Sequence, residues 1–147
     1  MDIQQINRQD GDSVRVAFKN VDGGGSITTG MGIAIVCSNA SFDGASAVKY
    51  AATNVKSFWG VATRDVPING FGKAVVAGYA ASVQISSVGT SITVTGGDVL
   101  IPGGLAGTFF SSVTDAALST LHYRYVVTGI GTTISAISWV SGFVRGF

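Results

Sequence analysis

The chain has 147 residues and a mass of 15.0 kDa, room for one hydrophobic core and too little for two ordinary domains. Hydrophobic residues make up 46% and charged residues 12%, which excludes a charge-rich disordered chain. The formal net charge of +1 supplies no field that would gather nucleic acid or an anionic membrane.

All eight acids are Asp, only four residues are Leu, and Val, Ile and Thr together number 44 beside 21 Gly. That inventory favours strands and turns over helices. A lone cysteine, Cys37, leaves no internal disulfide, so the fold is expected to hold without covalent staples. The opening MDIQQINRQDGDS has an early Asp and no apolar run, and does not read as a signal peptide. The uncharged stretch from Ala74 to Gly97 is interrupted by Ser, Thr and Gly and does not read as a membrane helix.

In chain order, residues 1–12 read as a polar amino-terminal arm with isolated Ile3 and Ile6, and residues 13–147 as a single β domain. SVRVAFK, from Ser13, alternates Val14, Val16 and Phe18 against Arg15, Ala17 and Lys19, the pattern of a half-buried strand. VDGGG is a turn, and the apolar run Gly32 to Val36 suits a central strand. Ser38 to Ser46 reads as a loop before the strand AVKYAAT. Lys56 to Thr63 and FGKAVVAGY read as a hairpin around Pro67, Asn69 and Gly70. ASVQIS and SITVT follow as separate strands, then Asp98 to Ile101. Thr114 to Leu121 is the one stretch that suits a helix, of two turns at most. YRYVVTG and TISAISWV read as a final hairpin, with GFVRGF closing the chain. About ten short strands without room for crossover helices point to an all-β fold, a single-domain antiparallel β-sandwich or small β-barrel.

No arrangement of reactive groups stands out. His122 is the only histidine and Cys37 its only thiol partner; Cys37 ends the apolar run GIAIVC, the setting of a small buried hydrophobe. Asp10-Gly-Asp12 offers two carboxylates but lacks the closing Glu of a calcium loop. Gly23-Gly24-Gly25-Ser26 lacks the Lys and helix of a phosphate cradle and reads as a hairpin tip. The nine basic residues do not cluster in sequence. Accordingly no catalytic residue, metal site or cofactor is expected, and the chain does not read as an enzyme.

Aromatic residues are the most informative feature. Most belong in a core, but adjacent pairs such as Phe58-Trp59 and Phe109-Phe110 project to opposite faces of a strand, so one member of each needs a second apolar environment. An interface with a partner would supply it.

The segment Trp59 to Tyr79, WGVATRDVPINGFGKAVVAGY, resembles bacteriophage capsid decoration (cement) proteins, in which a Gly-Val-Ala strand, a polar turn with Asp and Gly, and a Val-containing strand ending in Gly follow one another. The matching positions are Gly60, Val61, Ala62, Asp65, Gly70, Val75 and Gly78; GDVLIP, Gly97 to Pro102, resembles a later turn and strand of such domains. The resemblance covers about a third of the chain and does not extend to the arm or the last forty or so residues. It implies a structural virion protein, made in the host cytoplasm, that binds the outer surface of a phage head. Such a protein bridges neighbouring subunits of the major capsid protein, and symmetry favours a homotrimer. Ile3, Ile6 and Arg8 of the arm, with Phe58, Trp59, Phe109 and Phe110, are the expected partner contacts, and neither nucleic acid nor membrane is an expected partner. A trimeric head- or tail-fibre module, and a lectin-like sandwich stacking sugars on Trp59 or Trp139, are the alternatives.

Overall fold

The computed structural model describes residues 13–36, 46–86, 92–102, 106–112, 125–128, 132–134 and 136–146. They form eleven strands: β1 (Ser13–Asn20), β2 (Gly32–Ile35), β3 (Ser46–Lys49), β4 (Phe58–Ala62), β5 (Phe71–Ile85), β6 (Ile92–Val94), β7 (Val99–Pro102), β8 (Phe109–Ser112), β9 (Tyr125–Thr128), β10 (Thr132–Ile134) and β11 (Ser138–Arg145). A 3-10 segment, Ala52–Ser57, precedes β4, and no α-helix occurs among the described residues.

β1 pairs with β3, β3 with β2, β2 with β4, β4 with β5, and β5 again with β1, so five strands close into a small barrel. Closure removes the free edges that an open sheet of this size would present. One core cluster joins Phe18, Ile33, Ala47, Ala62 and Ala74 to Ile27 and Val66, whose backbones bridge each other. Three alanines among these positions fit a barrel too narrow for large side chains from every strand. Phe18 lies opposite Gly72, and the missing side chain there makes room for its ring.

Along β4 and β5 the pleat sends Val61 and Val75 to the other side, into a second cluster with Phe58, Val83, Phe109 and Val140. The strands that cover it hang from the far half of β5, in the order β5, β11, β9, β7, β8. β8 returns to β5 through one parallel bridge, Ile85 to Phe109. β5 is therefore a wall of two closed rings. β6 and β10 form a separate two-stranded ribbon.

β5 serves both rings by bending and exchanging neighbours. On one edge β4 accompanies it at Ala74 and Val75, and β11 takes over from Ala77, with Gly146 N donating to Val76 O at 2.8 Å where they meet. Register slips at Val76 against β1 and at Ala81 and Ser82 against β11 mark bulges, which bend and twist a strand. Between them Gly78 has φ of 96°, a conformation open to glycine and costly for other residues.

The barrel and the all-β class agree with the sequence reading, and four details do not. The sheet is mixed, because β1–β3 and β5–β8 are parallel. FGKAVVAGY and ASVQIS are one 15-residue strand, since Gly78 bends the chain without ending its ladder. The expected strand AVKYAAT stops at Lys49 and the expected strand from Lys56 starts at Phe58, because the 3-10 segment Ala52–Ser57 takes the end of one and the start of the other. Lastly, β9 pairs with β11 and β7, and β10 with β6, because a bend at Ala136 and Ile137 divides TISAISWV into two strands. The expected arm at 1–12, residues 38–45 of the expected loop and the helix at 114–121 lie outside the described residues, and Ser46, the last residue of that loop, opens β3.

Candidate contact face and cleft

β11 reads SWVSGFVR, and its burial alternates: Val140, Gly142 and Val144 face the core, while Trp139, Phe143 and Arg145 face outward. Two aromatic rings thus stand where a half-buried strand ordinarily carries polar groups. Register places Phe143 opposite Tyr79 and Arg145 opposite Ala77, with Val14 of β1 on the other flank of Ala77. The result is an exposed apolar stripe across β1, β5 and β11, with Trp139 57%, Phe143 56% and Tyr79 37% accessible. The Phe143 and Tyr79 rings meet edge to face, centroids 5.8 Å apart. Trp139 pairs with Gln84, a buried residue whose Oε1 has no hydrogen-bond partner among the described residues.

Beside the stripe lies a cleft of about 410 Å³. Ser13, the first described residue, lies on its rim. The β1 register on β5 finishes at Ser13 opposite Gly78, and the next described bond on that edge is Gln84 N to Gly30 O, at 2.8 Å. Val61 and Val75 contribute to its apolar lining, and its rim carries Ser13, Arg15, Thr63, Arg64, Tyr79 and Ser82. Arg64 donates to Phe71 O at 2.8 Å. Asp65, next in sequence, is engaged elsewhere: its Oδ1 accepts from Thr29 N at 2.7 Å and from Thr29 Oγ1 at 2.9 Å. Those bonds, the backbone one foremost, hold its carboxyl below the usual carboxylate range.

The remaining polar groups shape loops. Asp22 accepts from Gly24 N and Lys49 N, and Lys49 Nζ donates to Gly24 O, which closes the glycine-rich turn. Asn20 is fully buried and satisfied: Nδ2 donates to Gly25 O and Val66 O, and Oδ1 accepts from Asp22 N. Tyr50 packs on Phe58 and Phe109, ring centroids 4.7 and 5.4 Å away, and burial pushes its phenol above the ordinary tyrosine value. Among the described residues no three His, Cys, Asp or Glu side chains gather to hold a metal ion, and no helix is long and apolar enough to cross a membrane.

The expected contact residues divide. Phe58 and Phe109 are 0% and 1% accessible, and their rings meet edge to face, centroids 5.9 Å apart, in the core beside Tyr50; they are packing residues, not surface contacts. Trp59 is half-buried against the barrel cluster. Ile3, Ile6, Arg8 and the Phe110 side chain lie outside the described residues, as do Cys37 and His122. The sequence offers Trp139 only as a sugar platform and does not single out Phe143 or Tyr79. Their signal is the alternation of β11, which sets rings against Val140 and Val144. The Arg15 and Arg64 pairing has no signal in sequence, since 48 residues separate them and the barrel brings them together.

No protein-family model matches the chain, and no curated protein matches it significantly.

Proposed function

We propose that the protein works by adhesion, as a structural subunit that binds the outer surface of a phage head and bridges neighbouring capsid subunits. The observation that carries this reading is the stripe of Trp139, Phe143 and Tyr79, held on a rigid two-ring scaffold and turned outward. Contiguous exposed apolar surface marks interaction sites, and aromatic rings at the centre of an interface carry much of its energy. The Trp59 to Tyr79 segment that resembles capsid decoration proteins covers most of β4, the following turn and the first part of β5, and ends on Tyr79 of the stripe. A homotrimer matches the threefold positions of a shell, and the arm residues Ile3, Ile6 and Arg8 would reach a neighbouring subunit. Contacts repeated over many copies add up through avidity.

Cosedimentation with undecorated phage heads tests the reading. The unaltered chain is expected to pellet with heads at a fixed copy number, and W139S combined with F143S to weaken binding about tenfold or more. Equal pelleting of the double variant, or none by the unaltered chain, overturns it.

The exposure of Trp139 favours one other reading, a sugar stacked on its indole. Glycan-array binding that disappears in W139A, without binding to heads, would replace the first reading with this one.

A further inference from the structure

We infer that Asn69-Gly70, in the turn between β4 and β5, is a site of spontaneous deamidation that barrel closure holds shut. When the end of β1 releases this turn, Asn69 passes through a cyclic imide to aspartate and isoaspartate, and the isoaspartyl chain cannot re-form the original bonds.

The chemistry singles out this pair. The chain has five asparagines, and Asn69 is the one followed by glycine. A side chain on the following residue hinders approach of its nitrogen to the Asn amide carbon, and glycine has none. Asn69 is exposed, so water has access. In the reaction Gly70 N gives up its proton and bonds to Asn69 Cγ, the Cγ to Nδ2 bond breaks, and ammonia leaves. Water then opens the ring. Opening at Cγ yields aspartate, whereas opening at the Asn69 backbone carbonyl yields isoaspartate, whose main chain runs through Cβ and Cγ and is longer by that step. Nothing is oxidised or reduced: water enters, ammonia departs, and the formal charge of +1 falls to zero as a carboxylate replaces a neutral amide.

The fold obstructs the first step. Gly70 N donates to Pro67 O at 2.9 Å, so the attacking atom is committed within the turn and its proton is held by an acceptor. Asn69 occupies the third position with a φ of 62°, a conformation that Asn adopts more readily than most side chains. That is the pattern of a type II turn, in which the third residue has a ψ of about 0° and the next nitrogen points away from its Cβ. Ring closure must swing that nitrogen back. Asn20 at the end of β1 resists the swing from both sides, since Asn69 N donates to Asn20 O at 2.8 Å and Asn20 N donates to Gly70 O at 2.9 Å. Its side chain steadies the approach to the turn as well, with Nδ2 donating to Val66 O at 3.0 Å.

The same bonds make the product irreversible in structure. The extra main-chain atom of isoaspartate falls between Asn69 N and Gly70 O, the two groups that face Asn20, so both can no longer meet it at once. A backbone group left without its partner costs stability. Aspartate keeps the original spacing and tolerates the positive φ. The inference does not rest on the adhesive reading, since none of these residues lies in the aromatic stripe.

The test ages the full chain in mildly alkaline buffer and follows one tryptic peptide, Asp65 to Lys73, in which Asn69 is the one side-chain amide. Mass spectrometry reads the change from amide to acid, and chromatography separates the aspartyl and isoaspartyl forms. The folded chain is expected to convert at least about tenfold more slowly than the same chain in urea. Hydrogen exchange at the Gly70 amide should be slowed by the same factor, within about threefold, because one opening governs both. N20A, which removes the side-chain bond to Val66 O without touching Asn69, should raise the folded rate about fivefold. V140A, which loosens the second ring, should leave that rate within about twofold. The isoaspartyl chain, isolated after ageing, should exchange its Asn20 amide at least about tenfold faster than N69D, which has the aspartyl product's ordinary backbone. Equal conversion of folded and urea-unfolded chain overturns the inference, as does Gly70 protection that departs from the folded rate. So does V140A that matches N20A, which would assign the opening to global unfolding, or an isoaspartyl chain that protects Asn20 as well as N69D does. Should N20A fail to fold, the match between Gly70 exchange and the folded rate decides.

Discussion

Phe143 and Tyr79 sit directly opposite each other on β11 and β5, their rings edge to face at 64° and both open to solvent. An aromatic pair at a cross-strand position adds to strand pairing as well as to any surface it presents. Comparing Y79S, F143S and the double variant by urea unfolding should give a coupling of about 0.5 kcal/mol, the lower end for such pairs because both rings are wet. A coupling near zero would mean that the contact does not hold β11 in register.

Gly32 links the two rings at backbone level. Its N donates to Gly107 O, Gly107 N donates to Tyr50 O, and Tyr50 N donates to Gly32 O, a closed circuit of three bonds. A Cβ on Gly32 would stand 2.5 Å from the Phe109 ring and 3.0 Å from Tyr50 Cβ. G32A should therefore cost about 1 to 3 kcal/mol, as overpacking in a core does. F109L should recover part of that loss in the double variant, because the obstructing atom belongs to the ring. Additive losses in denaturant melts would show that the strain lies elsewhere.

Asn20 and Gln84 make opposite predictions, although both are buried amides. Every polar atom of the Asn20 side chain has a partner, so N20A should cost about 1 to 3 kcal/mol by taking a donor from Gly25 O and the acceptor from Asp22 N, while Val66 O keeps its bond from Ile27 N. N20D should cost more, since it sets an oxygen against those two oxygens. Gln84 Oε1 has no partner among the described residues, and Q84M, of similar length, should be neutral or raise the melting temperature. Thermal melts of the three variants decide the matter.

Acid and alkali should each weaken the fold through one group. The folded Asp65 carboxyl titrates below its unfolded value, so its stabilisation is whole above about pH 4 and is lost as pH falls through the lowered folded value. The D65N variant should show a shallower acid limb in denaturant midpoints. Tyr50 has the reverse sign: its folded value is raised, so its contribution is whole below about pH 10 and declines as pH rises beyond that. Y50F should flatten the alkaline limb. Unchanged limbs in either variant would show that other groups dominate.

What is legible in the sequence is local. The alternation of SVRVAFK announces β1, and Asn69 with Gly70 announces the turn between β4 and β5, where Asn69 takes a φ of 62°. The parallel contact of β1 with β3 and the return of β8 to β5 join segments far apart in the chain, and no residue pattern within either strand specifies its neighbour. The same limit applies to the site. Phe58-Trp59 is a sound reason to expect one ring on each face, and Phe58 indeed turns inward. Deciding which aromatic stays outside requires knowing that β11 lies along β5, because only then do Trp139 and Phe143 share a surface with Tyr79.

The double membership of β5 also bears on how the chain comes off the ribosome. All five barrel strands lie between Ser13 and Ile85, whereas β11 arrives some fifty residues later. During that interval the nascent barrel would carry Phe58, Val61 and Val75 without the strands that cover them. Residues 86 to 137 must therefore be made while a sticky flank is open, and a synthesis pause in that stretch would prolong the most aggregation-prone moment of the protein's life.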